Sequence, residues 1–234
     1  MLNMQVSAII PSAGLGTRMG GIKKPFIFLG NKPILTWTLD VFQRCNSINS
    51  IIIVTAKGDE SRCANEIIES FHLNKVHDVV AGGETRQESV FNALCKVRSD
   101  TDIVVIHDAV RPFLTEDMIL KSIEQANQYG SAIIAVPVKD TIKESDDDGF
   151  VVKTLDRRRL WSIQTPQTFK YKLIMQAHLY AREKHIQATD DASLIEQIGS
   201  HKIKLIMGSY DNIKITTPDD IHIAEAILKS KGMI

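Results

Sequence analysis

The chain has 234 residues, 44% of them hydrophobic and 24% charged, with 28 basic residues against 28 acidic ones. This is the composition of a soluble globular protein long enough to bury a substantial core. Zero net charge leaves no global basic field, so no nucleic-acid partner is expected and any phosphate binding must come from local clusters. Cys45, Cys63 and Cys95 match no zinc spacing, and an odd, scattered set argues against a disulfide framework. Reduced thiols are expected, in a cytoplasmic protein. The N-terminus carries no basic leader. No apolar run approaches the ~18 residues of a membrane helix, so no membrane partner is expected.

The first predicted strand, residues 6–10, breaks into Pro11-Ser12-Ala13-Gly14-Leu15-Gly16-Thr17-Arg18-Met19-Gly20-Gly21-Ile22-Lys23-Lys24. Glycines let backbone N–H groups approach a ligand closely, and arginine and lysine add donors suited to phosphate. The spacing G-x-G-x-x-x-G is neither the dinucleotide fingerprint nor the P-loop. The pattern fits a polyphosphate-binding loop of another kind, although the same glycines also suit a tight surface turn.

Next comes a helix over residues 34–45, then the continuous apolar run Ile51-Ile52-Ile53-Val54, expected of a strand buried on both faces. A helix over 60–71 and a strand over 76–80 follow. Thr85-Arg86-Gln87-Glu88 has capping-box spacing and opens a helix through residue 96. Residues 103–106 form another buried strand, Thr115 caps a helix ended by Gly130, and residues 132–136 form the next strand. This alternation predicts an α/β fold: a mostly parallel central sheet, helices on both faces, and a ligand site beyond the carboxyl ends of the strands.

The rhythm breaks after residue 136. Asp146-Asp147-Asp148-Gly149 reads as a tight turn between residues 141–143 and 150–154. We read residues 138–162 as a β-arm protruding from a single domain spanning 1–234. Because an isolated hairpin is marginal in water, the arm should pack on a partner, most simply a second copy of the chain. Further helices are predicted over 170–184, after Thr189-Asp190-Asp191, and from Thr217-Pro218-Asp219-Asp220 to about residue 229. A strand is predicted over 203–207, and Lys214 is read as lying within a short apolar strand.

Several constellations carry chemistry. Asp108 follows a buried strand, where a carboxylate suits Mg²⁺ held together with substrate phosphates, and Arg111 can hold an anion. The equally simple reading is an Asp–Arg pair fixing a turn. Gly82-Gly83-Glu84-Thr85-Arg86 with Ser89 offers donors at a helix start to a nucleobase or sugar. Lys214 either reaches solvent or faces an anion. Arg157-Arg158-Arg159 is either a solvated charge run or a phosphate clamp.

Taken together these residues resemble the 2-C-methyl-D-erythritol 4-phosphate cytidylyltransferases of the non-mevalonate isoprenoid pathway. The matching stretches are the first glycine loop, Gly82-Gly83-x-x-Arg86-x-x-Ser89-Val90, His107-Asp108-Ala109-Val110-Arg111-Pro112, Pro137-Val138-Lys139-Asp140-Thr141-Ile142-Lys143, Asp156-Arg157-x-x-Leu160-Trp161, Gln164-Thr165-Pro166-Gln167-x-Phe169, Thr189-Asp190-Asp191-Ala192-Ser193 and Asn212-Ile213-Lys214-Ile215-Thr216. The resemblance implies a Rossmann-like nucleotidyltransferase fold and a homodimer that exchanges arms. It implies transfer of CMP from CTP to methylerythritol phosphate, with Mg²⁺ and release of pyrophosphate.

Carried over residue by residue, Arg18, Lys24, Lys214 and Arg157 would be catalytic. Pro11, Ala13, Gly14, Gly16, Gly83, Glu84, Arg86 and Ser89 would hold CTP. Asp108, Arg111, Thr141 and Arg157 would hold the acceptor, a polyol phosphate, and Asp108 and Asp211 the metal. Where the family usually has proline–lysine–glutamine, this chain has Lys23-Lys24-Pro25, so either lysine could be the functional one; Lys24 aligns when counted back from Leu29-Gly30-Asn31. Ser12 stands where the family more often has alanine. Two alternatives keep the fold: ribitol-5-phosphate cytidylyltransferase and a non-catalytic nucleotide sensor. Sugar-phosphate and molybdopterin nucleotidyltransferases share the first loop but not the later motifs. A dehydrogenase would need G-x-G-x-x-G and an acid after the second strand, where Lys57 stands instead.

Overall fold

A computed structural model of the chain describes residues 4–14, 23–199 and 201–234. The strands are β1 (Val6–Pro11), β2 (Phe28–Leu29), β3 (Lys32–Pro33), β4 (Ser50–Thr55), β5 (Val76–Ala81), β6 (Ile103–Ile106), β7 (Ser131–Pro137), β8 (Lys143–Ser145), β9 (Val151–Thr154), β10 (Trp161–Lys170) and β11 (Lys204–Met207). The helices are α1 (Ile34–Arg44), α2 (Glu60–Cys63), α3 (Arg86–Leu94), α4 (Glu116–Tyr129), α5 (Tyr171–Glu183), α6 (Asp191–Gln197) and α7 (Pro218–Ser230). A π-helical stretch, Ala64–Glu69, extends α2, and 3₁₀ turns form at Lys24–Phe26 and Arg157–Arg159.

Seven strands make one sheet in the order β11-β7-β10-β6-β1-β4-β5. β1 is parallel to both β4 and β6, β4 to β5, and β11 to β7. The chain steps from β1 out to β5, then returns to the other side of β1 as β6. That reversal puts a crevice at the carboxyl ends of β1 and β6, where ligands of such sheets bind.

The apolar strand runs are double-faced, as expected. Val6, Ala8, Ile10, Ile51, Ile53, Ile103 and Val105 pack on one side with Leu35, Leu39 and Phe42 of α1 and Ile119 and Ile123 of α4. Ile9, Ile52, Val54, Val104 and Ile106 pack on the other with Val90 and Leu94 of α3, Ile174 of α5 and Leu194 of α6. The period-two alternation of side chains sorts them so. A third cluster seats α7 through Ala224 and Leu228 against Trp37, Val110, Phe113 and Ile215.

Three expectations need correction. The sequence reading puts residues 138–162 in the arm and no strand over 163–169, yet β10 sits in the middle of the sheet, antiparallel to β6 and β7. Pro166 and the polar run Gln164-Thr165 hid it, since proline usually argues against a central strand. The ladder accommodates them with a register shift between Ile163 and Gln167, and the Thr165–Pro166 bond is cis. Lys214 does not lie in a strand: residues 212–216 are an irregular segment, tied in by the Ile215 N–H to the Val110 carbonyl at 2.9 Å. The Thr85 capping box is half formed. Thr85 accepts the Glu88 N–H, but the Glu88 carboxylate takes the Glu84 N–H at 2.8 Å.

Among the described residues, β8 and β9 pair only with each other, around the turn at Gly149 (φ +85°). Phe150, Val151 and Val152 on this hairpin are exposed. Among the described residues, no helix is long and apolar enough to cross a membrane. Cys45 and Cys63 are buried free thiols, whereas Cys95 is exposed.

Candidate functional site

The crevice is stitched together by the strand ends. Ser12 donates both its N–H and its hydroxyl to the Val54 carbonyl, each at 2.7 Å. The Gly82 N–H donates to the Thr55 carbonyl at 2.8 Å. The Ala109 N–H reaches the Pro11 carbonyl at 3.3 Å. Pro11 and Ser12 are thus held between the ends of β4 and β6, Ala13 packs beside Gly82, and Gly14 is exposed. Gly16 and Arg18 lie outside the described residues.

Gly82 needs its lack of a side chain. A Cβ there would meet the Ala13 Cβ at 2.4 Å and the Ser89 Oγ at 2.8 Å. A Cβ on Gly83 would meet that of Glu88 at 2.5 Å. The Gly83 N–H donates to the Ser89 hydroxyl at 3.1 Å. Gly83, Glu84 and Ser89, predicted around the nucleotide, therefore form one tight turn against the first loop, and Ser89 and Glu88 are the residues that hold it.

Asp108 is the electrostatic centre. It is only 6% exposed, at the end of β6. Its Oδ1 faces Arg86 Nε at 3.4 Å, and its Oδ2 faces Arg111 Nε at 3.4 Å and Lys214 Nζ at 3.0 Å. Burial alone would raise its pKa, but the charges of Arg86, Lys214 and Arg111 outweigh it and hold the carboxyl well below the usual range. Arg111 also donates to the Asn212 carbonyl at 2.8 Å. Asn212 in turn donates to the Thr165 carbonyl at 3.0 Å and to Gln164 at 3.2 Å. The segment bearing Lys214 is thereby fixed to β10 and to the turn after β6.

Arg86, predicted as a CTP ligand, belongs to this cluster. Besides Asp108 it grips Asp191 at 2.7 Å. Asp191 is buried at the start of α6, with His178 Nε2 at 3.7 Å behind it. Gln167 of β10 pins that helix start through Asp190 at 2.7 Å and the Ala192 N–H at 3.0 Å. Among the described residues of the cluster, three cations face two carboxylates.

His107 lies beneath, fully buried. Its Nε2 meets the Arg111 carbonyl at 3.1 Å, which accepts only, so Nε2 carries the proton. Nδ1 then accepts from the Thr165 hydroxyl at 3.0 Å, and Thr165 accepts the Asp108 N–H at 3.0 Å. Burial pushes His107 down to about 4, so the ring is neutral near pH 7. His107, Thr165, Asp191 and Asn212 were not among the predicted site residues, though each lies within a motif noted in the sequence.

Asp211 pairs with Lys231 at 2.8 Å. Arg157 is exposed and donates to the Lys139 carbonyl at 2.6 Å, at the foot of the β8–β9 hairpin. Thr141 is exposed in the same region. Lys24 opens the 3₁₀ turn after the first loop, and its neighbour Lys23 pairs with Asp59 at 2.5 Å.

The sequence model of IspD, 2-C-methyl-D-erythritol 4-phosphate cytidylyltransferase, matches residues 6–230. The chain belongs to this family. Family members include a Desulforamulus reducens protein of that name, 45% identical over 97% of both chains. One from Clostridium acetobutylicum is 47% identical over 97% of this chain and 98% of its own. The solved 4-diphosphocytidyl-2C-methyl-D-erythritol synthase of Anaerococcus prevotii superposes with a TM-score of 0.87 at 36% identity, covering 97% of each chain. The fold of the family is thus the fold of this chain, a mostly parallel sheet with β10 reversed.

Proposed function

We propose that this chain transfers the cytidylyl group of CTP to 2-C-methyl-D-erythritol 4-phosphate, releasing pyrophosphate. The carrying observation is the convergence of Arg86, Arg111 and Lys214 on Asp108, at the carboxyl ends of β1 and β6, in a chain of this family. In this reading a phosphate oxygen of the acceptor attacks the α-phosphorus of CTP. The bond to the β-phosphate oxygen breaks, and its electrons leave with pyrophosphate. The nucleophile is already an anion, so no general base is required.

The barrier is repulsion between two anions, and positioned cations lower it by orientation and electrostatic stabilisation. Lys214 is suited to this, because its half-exposed ammonium is held at 3.0 Å from Asp108 and can turn to an arriving phosphate. Arg18 and Lys24 serve the triphosphate. Arg111 stays braced by Asn212 and orients the acceptor with Asp108. Pro11, Ala13, Gly14, Gly16, Gly83, Glu84 and Ser89 cradle the nucleotide, Ser89 through the turn it fixes, and Arg86 acts through Asp108.

In this reading Mg²⁺ is the cofactor and would take most of its ligands from the substrate phosphates, because Arg86, Arg111 and Lys214 already face the Asp108 carboxylate. Asp108 offers one buried carboxylate, and Mg²⁺ binds through one or two carboxylates plus substrate phosphates. Asp211 joins it only by releasing Lys231. When bound, the ion neutralises phosphate charge.

The exposed Phe150-Val151-Val152 edge, on a hairpin too small to stand alone, supports a homodimer in which this arm carries Thr141 and Arg157 to the partner's acceptor site. The cytoplasm fits reduced thiols. The test is pyrophosphate release from CTP, Mg²⁺ and methylerythritol phosphate. Lys214→Ala should lose at least about 100-fold in kcat, a typical cost of removing one transition-state donor. A variant with wild-type kcat would overturn the role given to Lys214.

A further inference from the structure

We propose that the Lys23–Asp59 ion pair is the anchor that sets the downstream end of the nucleotide loop, making Lys23 a positioning residue and not a phosphate ligand. The proposal rests on the cytidylyl-transfer reading and assigns a use to two residues that reading leaves idle.

Asp59 stands at the N-cap of α2, where an aspartate ordinarily accepts an N–H from the first turn. Here the side chain makes no such bond. Its Oδ1 instead takes the Lys23 ammonium at 2.5 Å. The Asp59 backbone is held on both sides: its N–H donates to the Ala56 carbonyl at 3.0 Å, and its carbonyl accepts the Cys63 N–H at 2.8 Å. The carboxylate is 9% exposed, so it offers a fixed, largely desolvated counter-charge.

Lys23 leads directly into the 3₁₀ turn. The Phe26 N–H returns to the Lys23 carbonyl at 3.1 Å, and Pro25 within the turn is buried. A second tie to the same short helix lies beside the first, with the Arg62 guanidinium 4.1 Å above the Phe26 ring. Upstream of the loop, Ser12 holds the Val54 carbonyl with two hydrogen bonds. Both ends are therefore fastened to one corner of the fold, residues 54–62, and the distance the loop must span is set there.

This geometry also bears on which of two adjacent lysines does what. Moving Lys23 to a phosphate would leave a buried carboxylate unpaired, which is costly. Lys23 therefore stays on Asp59 through turnover, and the phosphate role remains with Lys24.

The test uses the full chain and the variants Lys23→Gln, Asp59→Asn, their combination, and Lys23→Arg. We expect each neutralising variant to raise KM for CTP by about tenfold, with kcat and KM for the acceptor within about twofold. The double variant should be no worse than either single one, as for residues acting through one contact. Lys23→Arg, which keeps the pair, should recover most of the loss. A direct phosphate ligand behaves differently: Lys23→Gln would lower kcat, and Asp59→Asn would free the lysine and leave KM for CTP unchanged or lower. That pattern would overturn the proposal. If Asp59→Asn fails to fold, the Lys23→Gln and Lys23→Arg comparison decides through the same split of KM against kcat. If wild-type protein shows no turnover, calorimetric CTP binding by wild type, Lys23→Gln and Lys23→Arg reads the anchor while the activity reading fails separately.

Discussion

Gly82→Ala tests how tightly the nucleotide crevice is assembled. The added Cβ falls 2.4 Å from the Ala13 Cβ, 2.8 Å from the Ser89 Oγ and 3.2 Å from the Thr55 carbonyl oxygen. Unstrained carbon–carbon contacts lie near 3.5–4.0 Å, so the two chain segments must part by about 1 Å. None of these neighbours can swing aside. Ala13 has no rotamer, the Thr55 oxygen is backbone already bonded to the Gly82 N–H, and Ser89 holds the Gly83 N–H. Overpacking of this kind costs roughly 1–3 kcal/mol. For a chain of this length that lowers Tm by about 2–4 °C per kcal/mol. Because the displaced groups are the first loop and the Gly82-Gly83 turn, KM for CTP should rise while KM for the acceptor stays near wild type. Calorimetry and initial rates read both. Adding Ala13→Gly removes the 2.4 Å clash and should restore part of the Tm. An unchanged Tm and KM in Gly82→Ala, or no recovery in the double variant, would refute this account of the crevice.

Two further perturbations follow from the same geometry. His107 is pushed by burial from 6.5 to about 4, so between those values the unfolded chain holds the extra proton and stability rises with pH. Its contribution is complete above pH 6.5 and is lost as pH falls through 4. Going from pH 7 to 5 should cost about 2 kcal/mol, measured by urea unfolding in metal-free buffer. His107→Asn and His107→Gln should lack that part of the slope, and parallel profiles for variants and wild type would contradict the assignment. On the hairpin, Phe150→Asp should shift the protein toward monomer in analytical ultracentrifugation and lower acceptor turnover at dilute concentration, whereas an unchanged mass would count against the arm as the dimer contact.

Much of the fold was legible because β1, β4, β6 and β7 are buried on both faces, and such strands read as unbroken apolar runs. Caps at Thr85 and Thr115 announced α3 and α4 by local chemistry alone. β10 escaped because its pairing is long-range and its sequence breaks the local rules for a central strand. The site was legible in its motifs and less so in its connections. Asp108 and Lys214 stood out as a carboxylate after a buried run and a lysine among apolar residues. That Arg86 would bridge Asp108 and Asp191, or that Asp59 would leave its helix cap for Lys23, depends on which charges burial brings together. Spacing along the chain does not encode that.

The most direct test of the central claim compares two acceptors. Purified protein with CTP and Mg²⁺ is offered methylerythritol phosphate or ribitol 5-phosphate, and pyrophosphate release is followed. The account predicts release with methylerythritol phosphate and little with ribitol 5-phosphate. Release with ribitol 5-phosphate alone would contradict the acceptor assignment, and CTP binding without release from either would contradict cytidylyl transfer itself.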